Sequence, residues 1–382
     1  MSRKGIFRLC CASVVGAGLL AWGVLQARPS AGIVRTYYVA AEVTEWDYAP
    51  SGEDRISGKP FEGFAAIMMT SAPDRIGRVY KKAVYREYTD STFTTLKPRP
   101  PEWEHLGILG PLLRAVVGDT IRVVFKNLAD RPYSMHPHGV FYTKSSEGAP
   151  YIDGTGAEDA GDDAVEPGQT HEYIWPVPDR AGPGPMDGSS AFWMYHSHTN
   201  EDADVNAGLM GPMIITARSR AQADGTPDDV DRELVLMFGE FDENASWYHE
   251  ENVQAHADPA RVPRDVTFAD LYYISNLKET INGFSYGHTP GLVMREKERV
   301  RWYVFATTNF EVHAPHWHGQ TVLANQMRTD VLSLLTMQMV TANMIPDNPG
   351  TWLFHCHVGP HLLAGMSATF QVLPAAATMA GQ

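Results

Sequence analysis

The chain has 382 residues, of which 44% are hydrophobic and 20% are charged, and this is enough for two domains with their own cores. Its formal net charge of −14 argues against nucleic acid as a partner, because phosphate binding needs clustered lysine and arginine. The same charge fits a soluble protein outside the cytoplasm and is compatible with cationic substrates.

Residues 1–32 have the pattern of a targeting segment. Three basic residues within the first eight positions precede an apolar run at 9–25, and Ala27 and Ala31 are small residues suited to cleavage. We expect this segment to be a signal peptide that exports the protein to the periplasm or the outside. The alternative is an uncleaved membrane anchor, since the run is near the lower length limit for a membrane span.

Short alternating runs separated by Gly, Pro, Asp and Asn clusters predict an all-β chain with the strand spacing of β-sandwiches. The predicted strands are 115–126, 171–177, 213–216, 234–238, 299–305, 337–343 and 352–358. The stretch 265–276 favours neither helix nor strand.

Two segments of the first half recur in the second half. VVGDTIRVVFKNLADRPYSMHPHGVFY is echoed by EKERVRWYVFATTNFEVHAPHWHGQTV, and WMYHSHTNEDADVNAGLMGPMIIT is echoed by WLFHCHVGPHLLAGMSATFQV. Two copies of one sandwich domain are therefore expected. The predicted organisation is a first domain at 33–217, a polar linker at 218–232, a second domain at 233–376 and a tail at 377–382.

Histidine is concentrated in a few places. Ten of the 15 histidines fall in four clusters: His136 and His138; His196 and His198; His313, His316 and His318; His355, His357 and His361. Histidines two apart on a strand share a face, so each HxH pair presents two imidazoles in one direction. His313 lies three residues before His316 and is therefore expected to face the other way, towards the side taken by Cys356.

Cys356 is the one cysteine outside the targeting segment, so no intramolecular disulfide can form in the mature chain. The alternative for a lone cysteine is a buried, inert thiol. With His361 five residues later, Met366 ten residues later and His313 as the remaining ligand, it instead forms the His₂Cys set with a weak axial methionine that suits blue copper.

The four HxH pairs left over supply eight imidazoles, two pairs from each repeat. Such a set can hold three copper ions with open positions for oxygen, although imidazole also suits zinc, iron and nickel. Copper is favoured by the position of Cys356 between His355 and His357, because it gives a short covalent path from a one-electron site to a multi-metal site.

These motifs make the chain resemble the multicopper oxidases, and among them the ceruloplasmin-like branch. The segments that carry the resemblance are YYVAAEVTEWDYAPSG, YREYTDSTF, LGILGPLLRAVVGDTIRVVFKNLADRPYSMHPHG, TINGFSYG and GTWLFHCHVGPHLLAGM. The resemblance implies two cupredoxin-like Greek-key β-sandwich domains and about four coppers per chain.

The resemblance also implies which residues bind each copper. The type 1 ligands are His313, Cys356, His361 and Met366, the type 2 ligands are His136 and His316, and the type 3 ligands are His138, His196, His198, His318, His355 and His357. The first repeat has Ser197 where the second has Cys356. We therefore expect the first domain to lack a type 1 copper and to supply half of the trinuclear cluster.

The implied activity is an oxidase that takes single electrons from a small reducing substrate at type 1 copper and delivers four to O₂, giving water. His313, Cys356 and His361 would serve the first step, and His136 and His316 the second. The ferrous-iron ligands of ceruloplasmin-like ferroxidases align with Ile274, Glu279 and Pro360, which leaves one carboxylate. A laccase-like oxidation of phenols or aromatic amines is therefore expected ahead of Fe(II), Cu(I) or Mn(II) oxidation.

Two other hypotheses remain open. A copper nitrite reductase also has two cupredoxin domains, but it needs a blue site in the first repeat, where Ser197 stands, and a single three-histidine copper. A non-catalytic copper-binding protein would have no need to keep all twelve ligands.

The acidic loop 153–166 is either plain solvated surface or a structural calcium site with Asp162 and Asp163 as oxygen ligands.

The two half-clusters of histidines must face each other across an interface, and a repeated heterologous contact closes into a ring. The six-domain ceruloplasmin-like proteins form a pseudo-threefold ring, so the resemblance implies a homotrimer with copper clusters between subunits. The alternative is a monomer that folds both halves together through the 218–232 linker.

Overall fold

Strands make up most of the regular structure in the computed structural model, which describes residues 32–156, 158–264, 266–307 and 311–375. The strands are β1 (Val34–Asp47), β2 (Glu53–Asp54), β3 (Lys59–Pro60), β4 (Val79–Tyr88), β5 (Leu113–Val116), β6 (Thr120–Asn127), β7 (His136–Pro137), β8 (Thr170–Pro176), β9 (Ser190–His196), β10 (Met210–Thr216), β11 (Arg232–Asp242), β12 (Leu277–Ile281), β13 (Val293–Arg295), β14 (Val300–Ala306), β15 (Pro315–Trp317), β16 (Val322–Ala324), β17 (Met327–Thr329), β18 (Met339–Met344), β19 (Gly350–Cys356) and β20 (Ser367–Leu373). The helices are α1 (Gly63–Met69), α2 (Glu201–Ala207), α3 (His249–His256), α4 (Leu271–Ser275) and α5 (Gly359–Leu363), with 3₁₀ turns at Pro101–Leu106, Lys144–Ser146, Asp179–Ala181 and Arg218–Arg220.

Four sheets form two sandwiches that share one plan. The first sandwich has strand orders β4-β1-β6-β8 and β5-β10-β9-β7, and the second has β12-β11-β14-β18-β16-β17 and β13-β20-β19-β15. The parallel pairings β1 with β6 and β5 with β10 recur as β11 with β14 and β13 with β20. The repeated sequence segments therefore fold into repeated structure.

Each sandwich buries the apolar faces of its own two sheets. Val123 and Met213 belong to the first core, and Trp302 packs on Phe354 in the second. Full burial of a large apolar side chain contributes about 1.5–3 kcal/mol, so these residues hold the sheets together. A further apolar cluster joins the two sandwiches, with members from β4, β9, β11 and β14.

One predicted strand needs correction, and two other stretches take a local structure that the sequence left open. The predicted strand 115–126 is two strands, because Gly118 turns the chain with a φ of +88° between β5 and β6. The ambiguous stretch 265–276 contains α4 and runs directly into β12. The segment 218–232 begins with a 3₁₀ turn, and its last residue already belongs to β11. Its linker role and the domain boundaries stay predictions, since all described residues belong to one compact unit.

The predicted signal peptide or anchor lies outside the described residues except for Gly32, and so does the predicted tail. No helix in the described part of the chain is long and apolar enough to cross a membrane.

Candidate metal centres

Strand register brings the histidine pairs together in the same way in both sandwiches. β7 pairs antiparallel with β9 and places His136 opposite His196. β15 pairs antiparallel with β19 and places His316 opposite His355, with Cys356 beside Pro315. Each HxH pair therefore has the other pair of its own repeat as its neighbour.

The turn after each first HxH pair depends on a glycine. Gly139 and Gly319 have φ values of +80° and +66°, a conformation that glycine adopts without strain. A Cβ at Gly139 would lie 2.4 Å from the Trp193 ring, and one at Gly319 would lie 2.7 Å from the Trp352 ring. In each repeat, a tryptophan ring thus packs directly on the glycine backbone and fixes the position of the HxH pair before it.

The ligand atoms of His313, Cys356 and His361 all lie within 4.8 Å of one another. Cys356 Sγ is 3.9 Å from His313 Nδ1 and 3.6 Å from His361 Nδ1, and the two Nδ1 atoms are 3.2 Å apart. All three side chains are buried. His313 lies two residues before β15, and His361 lies on α5.

Backbone contacts hold the cysteine in this centre. The Ala314 N–H donates to Cys356 Sγ at 3.3 Å, and the Cys356 N–H donates to the Met366 carbonyl at 3.1 Å. Met366 is fully buried in the same core. One thiolate, two imidazoles and a neighbouring thioether are the donors that blue-copper sites use, so these residues fit copper.

Burial acts on both histidines of this centre, with different outcomes. Burial and the neighbouring His361 lower the pKa of His313 to about 4, so its ring is neutral at pH 7. Burial also lowers the pKa of His361, but the Cys356 sulfur and the carboxylates of Glu311 and Glu279 raise it to about 10 on balance. His361 must therefore release a proton when a metal binds.

The first histidine half-cluster consists of His136, His138, His196 and His198. Its ring centroids lie 5.2–5.6 Å apart in the contacts around His136 and His196. The Nε2 atoms of His138 and His196 are 3.2 Å apart. Burial lowers the pKa of His136 and His196, and it lowers that of His138 to about 4. These neutral imidazoles have lone pairs for a metal.

The second half-cluster consists of His316, His318, His355 and His357. The ligand atoms of the first three lie within 4.8 Å of one another, and His355 Nε2 is 3.0 Å from His318 Nε2 and 3.2 Å from His316 Nδ1. The His357 ring lies 5.1 Å from that of His316 and is exposed. β19 ends at Cys356, so His357 follows the strand and does not continue it.

Backbone carbonyls orient three of these imidazoles. His136 Nδ1 lies 2.7 Å from the Glu147 carbonyl, His196 Nδ1 lies 3.1 Å from that of Ser197, and His355 Nδ1 lies 2.8 Å from that of Cys356. A carbonyl can only accept, so each Nδ1 carries the proton and each Nε2 is left for a metal.

The two half-clusters are separate within one chain. In residues 32–156, 158–264, 266–307 and 311–375, imidazole contacts occur inside each half-cluster and none joins one to the other. The monomeric and the trimeric arrangement of the two half-clusters therefore both stay predictions.

Three carboxylates lie beside the Cys356 centre, and sequence alignment identified only one of them. Glu240 and Glu279 are directly opposite each other in the β11–β12 pair, and Glu311 lies two residues before His313. Glu311 Oε2 is 2.9 Å from His361 Nε2, and Glu279 Oε2 is 4.0 Å from His361 Nδ1. Glu240 shares a strand face with Phe238, which packs on His313, but that contact depends on strand pairing that the sequence does not reveal.

These carboxylates are crowded around His361. Burial raises the pKa of Glu240 to about 7, with the Glu311 charge adding to the effect, and burial and Glu240 raise that of Glu279. Oε2 of Glu279 is buried without a hydrogen-bond partner in the described structure, and Oε2 of Glu311 has the His361 ring as its ion-pair partner. A cation would satisfy the Glu279 oxygen.

The acidic loop also contains a buried carboxylate. Asp162 is fully buried, its Oδ2 accepts from the Gly148 N–H at 2.6 Å, and its Oδ1 has no hydrogen-bond partner among the described residues. Burial raises the pKa of Asp162 and of Asp163, and the Asp162 charge raises the latter further. Plain solvated surface does not account for Asp162.

Comparison with known proteins identifies the class. Two family models, both described as multicopper oxidase, match residues 106–220 and 259–376, together more than half of the chain. The chain belongs to the multicopper oxidase family, and copper is the metal that this family implies.

Several individual proteins are similar to this chain over most of its length. The chain is 42% identical to the ferroxidase HEPHL1 of Homo sapiens over 89% of this chain and 29% of that protein. It is 40% identical to hephaestin of Rattus norvegicus, over 93% of this chain and 31% of that protein, and 40% identical to ceruloplasmin of Homo sapiens, over 88% and 31%. The chain thus spans about a third of the length of these relatives.

Solved structures agree on the fold. A multicopper oxidase crystal structure matches with a TM-score of 0.55 and 19% identity over 89% of both chains. The blue copper oxidase from Nitrosomonas europaea matches with a TM-score of 0.54 and 18% identity over 89% of this chain and 86% of that one. The predicted all-β, cupredoxin-like fold class is confirmed.

Proposed function

We propose that this protein is a multicopper oxidase whose reducing substrate is a metal ion, with ferrous iron as the leading candidate. The observation that carries this proposal is the group of carboxylates, Glu240, Glu279 and Glu311, around His361. Hard and borderline cations prefer oxygen ligands, and the buried Oε2 of Glu279 has no hydrogen-bond partner among the described residues.

This proposal replaces the phenol oxidation favoured by the sequence. That preference rested on a single remaining carboxylate, Glu279, and the fold adds Glu240 and Glu311 to it. The names of the relatives, among them a ferroxidase, support the same change.

The two ring nitrogens of His361 lie towards different parts of the site. Copper, when bound, supplies the one-electron chemistry at the Cys356 centre and the O₂ chemistry at the histidine clusters. His361 presents Nε2 to Glu311 and Nδ1 to Cys356, so its ring spans the distance from the carboxylates to the thiolate. Cys356 in turn lies between His355 and His357, which belong to the second half-cluster.

The test compares two substrates in the same variants. Glu279→Gln and Glu311→Gln should each lower kcat/KM for Fe(II) by about 10–100-fold, because each removes one charged ligand. Oxidation of 2,6-dimethoxyphenol should stay within about twofold, since a phenol does not need the carboxylates. Glu62→Gln, at an exposed position, is the matched control. Equal losses for both substrates, or no loss for Fe(II), would contradict the proposal.

We further propose that the chain acts as a homotrimer with the copper clusters between subunits. Support comes from the separation of the half-clusters and from the apolar surface beside the first of them, where Tyr142 contacts His136 and Phe141 is 47% exposed. A second copy would cover this surface and complete the cluster.

Mixing two dead variants tests this assembly. His136→Ala/His138→Ala and His355→Ala/His357→Ala should each be inactive. Equal amounts refolded together should regain about a quarter of wild-type activity, because random assembly pairs two intact halves at that fraction of interfaces. Mixed chains that assemble but stay inactive, or a fully active monomer by light scattering, would rule the shared cluster out.

We also propose that Asp162 and Asp163 bind a structural calcium ion. Calcium should raise the thermal midpoint of the wild-type protein and leave that of Asp162→Asn unchanged, because the variant loses a charged ligand. An equal calcium effect on both proteins would contradict the site.

Export through residues 1–32 is proposed on the sequence pattern, and the mass of the mature chain tests it.

A further inference from the structure

We propose that the first sandwich binds a small organic anion with an aromatic or apolar body, in a cavity separate from the metal centres. The cavity has a volume of about 470 Å³ and is lined by residues of β1, β4 and β5 and of the segment 96–106. This volume is in the range of small-molecule binding sites.

The lining carries a surplus of positive charge although the whole chain has a net charge of −14. It includes four cationic side chains, Arg86, Lys97, Arg99 and Arg114, and one carboxylate, Glu87. Lys97 Nζ pairs with Glu87 at 2.8 Å, and Arg114 pairs with Glu233 at 2.6 Å. Within the described part of the chain, Arg86 and Arg99 form no ion pair with a carboxylate.

Arg99 is held in place and still charged. Its guanidinium donates to the carbonyls of Gly107 and Leu109 at 2.8 and 2.6 Å. Burial and then the charge of Arg86 lower the pKa of Arg99 to about 10, so it stays protonated at pH 7. Arg86 and Arg99 both line the cavity and their charges repel each other, so an anion bound beside them would be stabilised by both.

The walls suit an apolar body. Tyr37 and Trp103 contribute aromatic rings to the lining, and the Tyr37 hydroxyl already donates to the Arg114 carbonyl. The rings therefore offer faces for stacking, and the arginines remain the donors for a carboxylate or sulfonate head group.

The cavity is remote from the O₂-reducing histidines in the fold. β5, which contributes Arg114, is one edge of the sheet β5-β10-β9-β7, and β7, which carries His136, is the opposite edge. Binding here is thus expected to leave the copper chemistry intact, and the site has a role distinct from that of the reducing substrate.

The binding test uses the copper-loaded full chain with 2-naphthoate in equilibrium dialysis. One naphthoate should bind per chain, and at least about tenfold more tightly than the neutral isostere 2-naphthalenemethanol, because the arginines recognise the charge. Raising the salt concentration should weaken naphthoate binding and leave that of the alcohol unchanged. Equal affinity for the two probes, or no saturable binding, would overturn the proposal.

Variants locate the site. Arg86→Gln should lower naphthoate affinity about tenfold, Arg86→Lys should lower it less, and Arg264→Gln, which removes an exposed charge elsewhere, should have no effect. Copper content and oxidase activity should be unchanged in all three, which also reports that they fold. If Arg86→Gln does not fold, Leu112→Trp, which fills the cavity, should abolish binding. An Arg86→Gln variant with altered assembly by light scattering and unaltered naphthoate affinity would instead assign the cavity to a second copy, and would overturn the proposal.

Discussion

At the end of β9 in the first sandwich and of β19 in the second, the same backbone turn carries different side chains. The Ser197 N–H donates to the Leu209 carbonyl as the Cys356 N–H donates to that of Met366. The Ser134 N–H donates to Ser197 Oγ at 3.1 Å, where the second repeat has a backbone N–H donating to Cys356 Sγ.

In the first repeat, a hydrogen-bond network occupies the position that the Cys356 centre has in the second. Tyr133, Ser197, Asp204 and Leu209 stand at the positions of His313, Cys356, His361 and Met366, in that order. Asp204 Oδ2 accepts from Ser197 Oγ at 2.7 Å and from the Asn200 N–H at 2.9 Å, and its Oδ1 accepts from Trp247 Nε1 at 2.8 Å. The same scaffold therefore serves either as a metal centre or as a closed polar network, depending on four side chains.

The largest expected difference between the Ser197 and Cys356 positions is in catalysis. Cys356→Ser should remove the blue absorption and lower metal-ion oxidation at least about 1,000-fold while the histidine clusters keep their copper, because the thiolate is lost. Ser197→Ala should keep both properties. Absorption spectra, copper analysis and O₂ uptake measure the contrast, and a Cys356→Ser protein that stays blue would refute it.

The second difference concerns stability. Asp204→Ala should lower the free energy of unfolding by about 2 kcal/mol, because it leaves the buried Ser197 hydroxyl and two part-buried N–H donors without their acceptor. Trp247→Phe, which removes one donor together with its bond, should cost about 1 kcal/mol. Denaturant unfolding gives both values, and the blue absorption of the folded variants should be unchanged. A loss of that absorption would mean that the network also supports the Cys356 centre.

The smallest predicted effect is a pH dependence of stability, and it comes from one of two buried lysines on equivalent strands. Lys82 on β4 pairs with Glu243 at 2.5 Å, whereas Lys278 on β12 donates to the carbonyls of Met68 and Ser275. Burial lowers the pKa of Lys278 from 10.5 to about 7. The unfolded chain therefore binds more protons between these values, and stability rises with pH from about 7 by about 1.4 kcal/mol per unit at most.

Lys278→Met should remove this slope. The difference in free energy of unfolding between variant and wild type, measured from pH 6 to pH 9, should be constant below pH 7 and should shift in favour of the wild type above it. A difference that does not change with pH would show that Lys278 titrates normally.

The sequence was sufficient for what depends on short spacing. Histidines two apart and the offset from Cys356 to His361 predicted which side chains come together, because strand and turn geometry fix neighbours at that range. The division of 115–126 was missed, although Gly118 was a visible signal for a turn.

Long-range register lay beyond the sequence. Glu240 and Glu279 meet only because β11 pairs with β12 in one register, and the chain between them has no periodicity that fixes it. The equivalence of Asp204 and His361 was hidden for another reason. The first repeat has two more residues between Ser197 and Ala207 than the second has between Cys356 and Ala364, so a count from the cysteine misses it.

In each HxHG turn a glycine packs against a tryptophan ring, and this contact limits which residues the turn accepts. Any side chain at Gly139 or Gly319 meets an indole ring and also a backbone conformation that it rarely adopts, so neither half reaches a new residue there by a single tolerated change. A serine and a cysteine at positions 197 and 356 have diverged on the same scaffold. The two repeats therefore share the glycine that turns the chain after the first HxH pair, whereas the side chains that decide between a metal centre and a polar network differ.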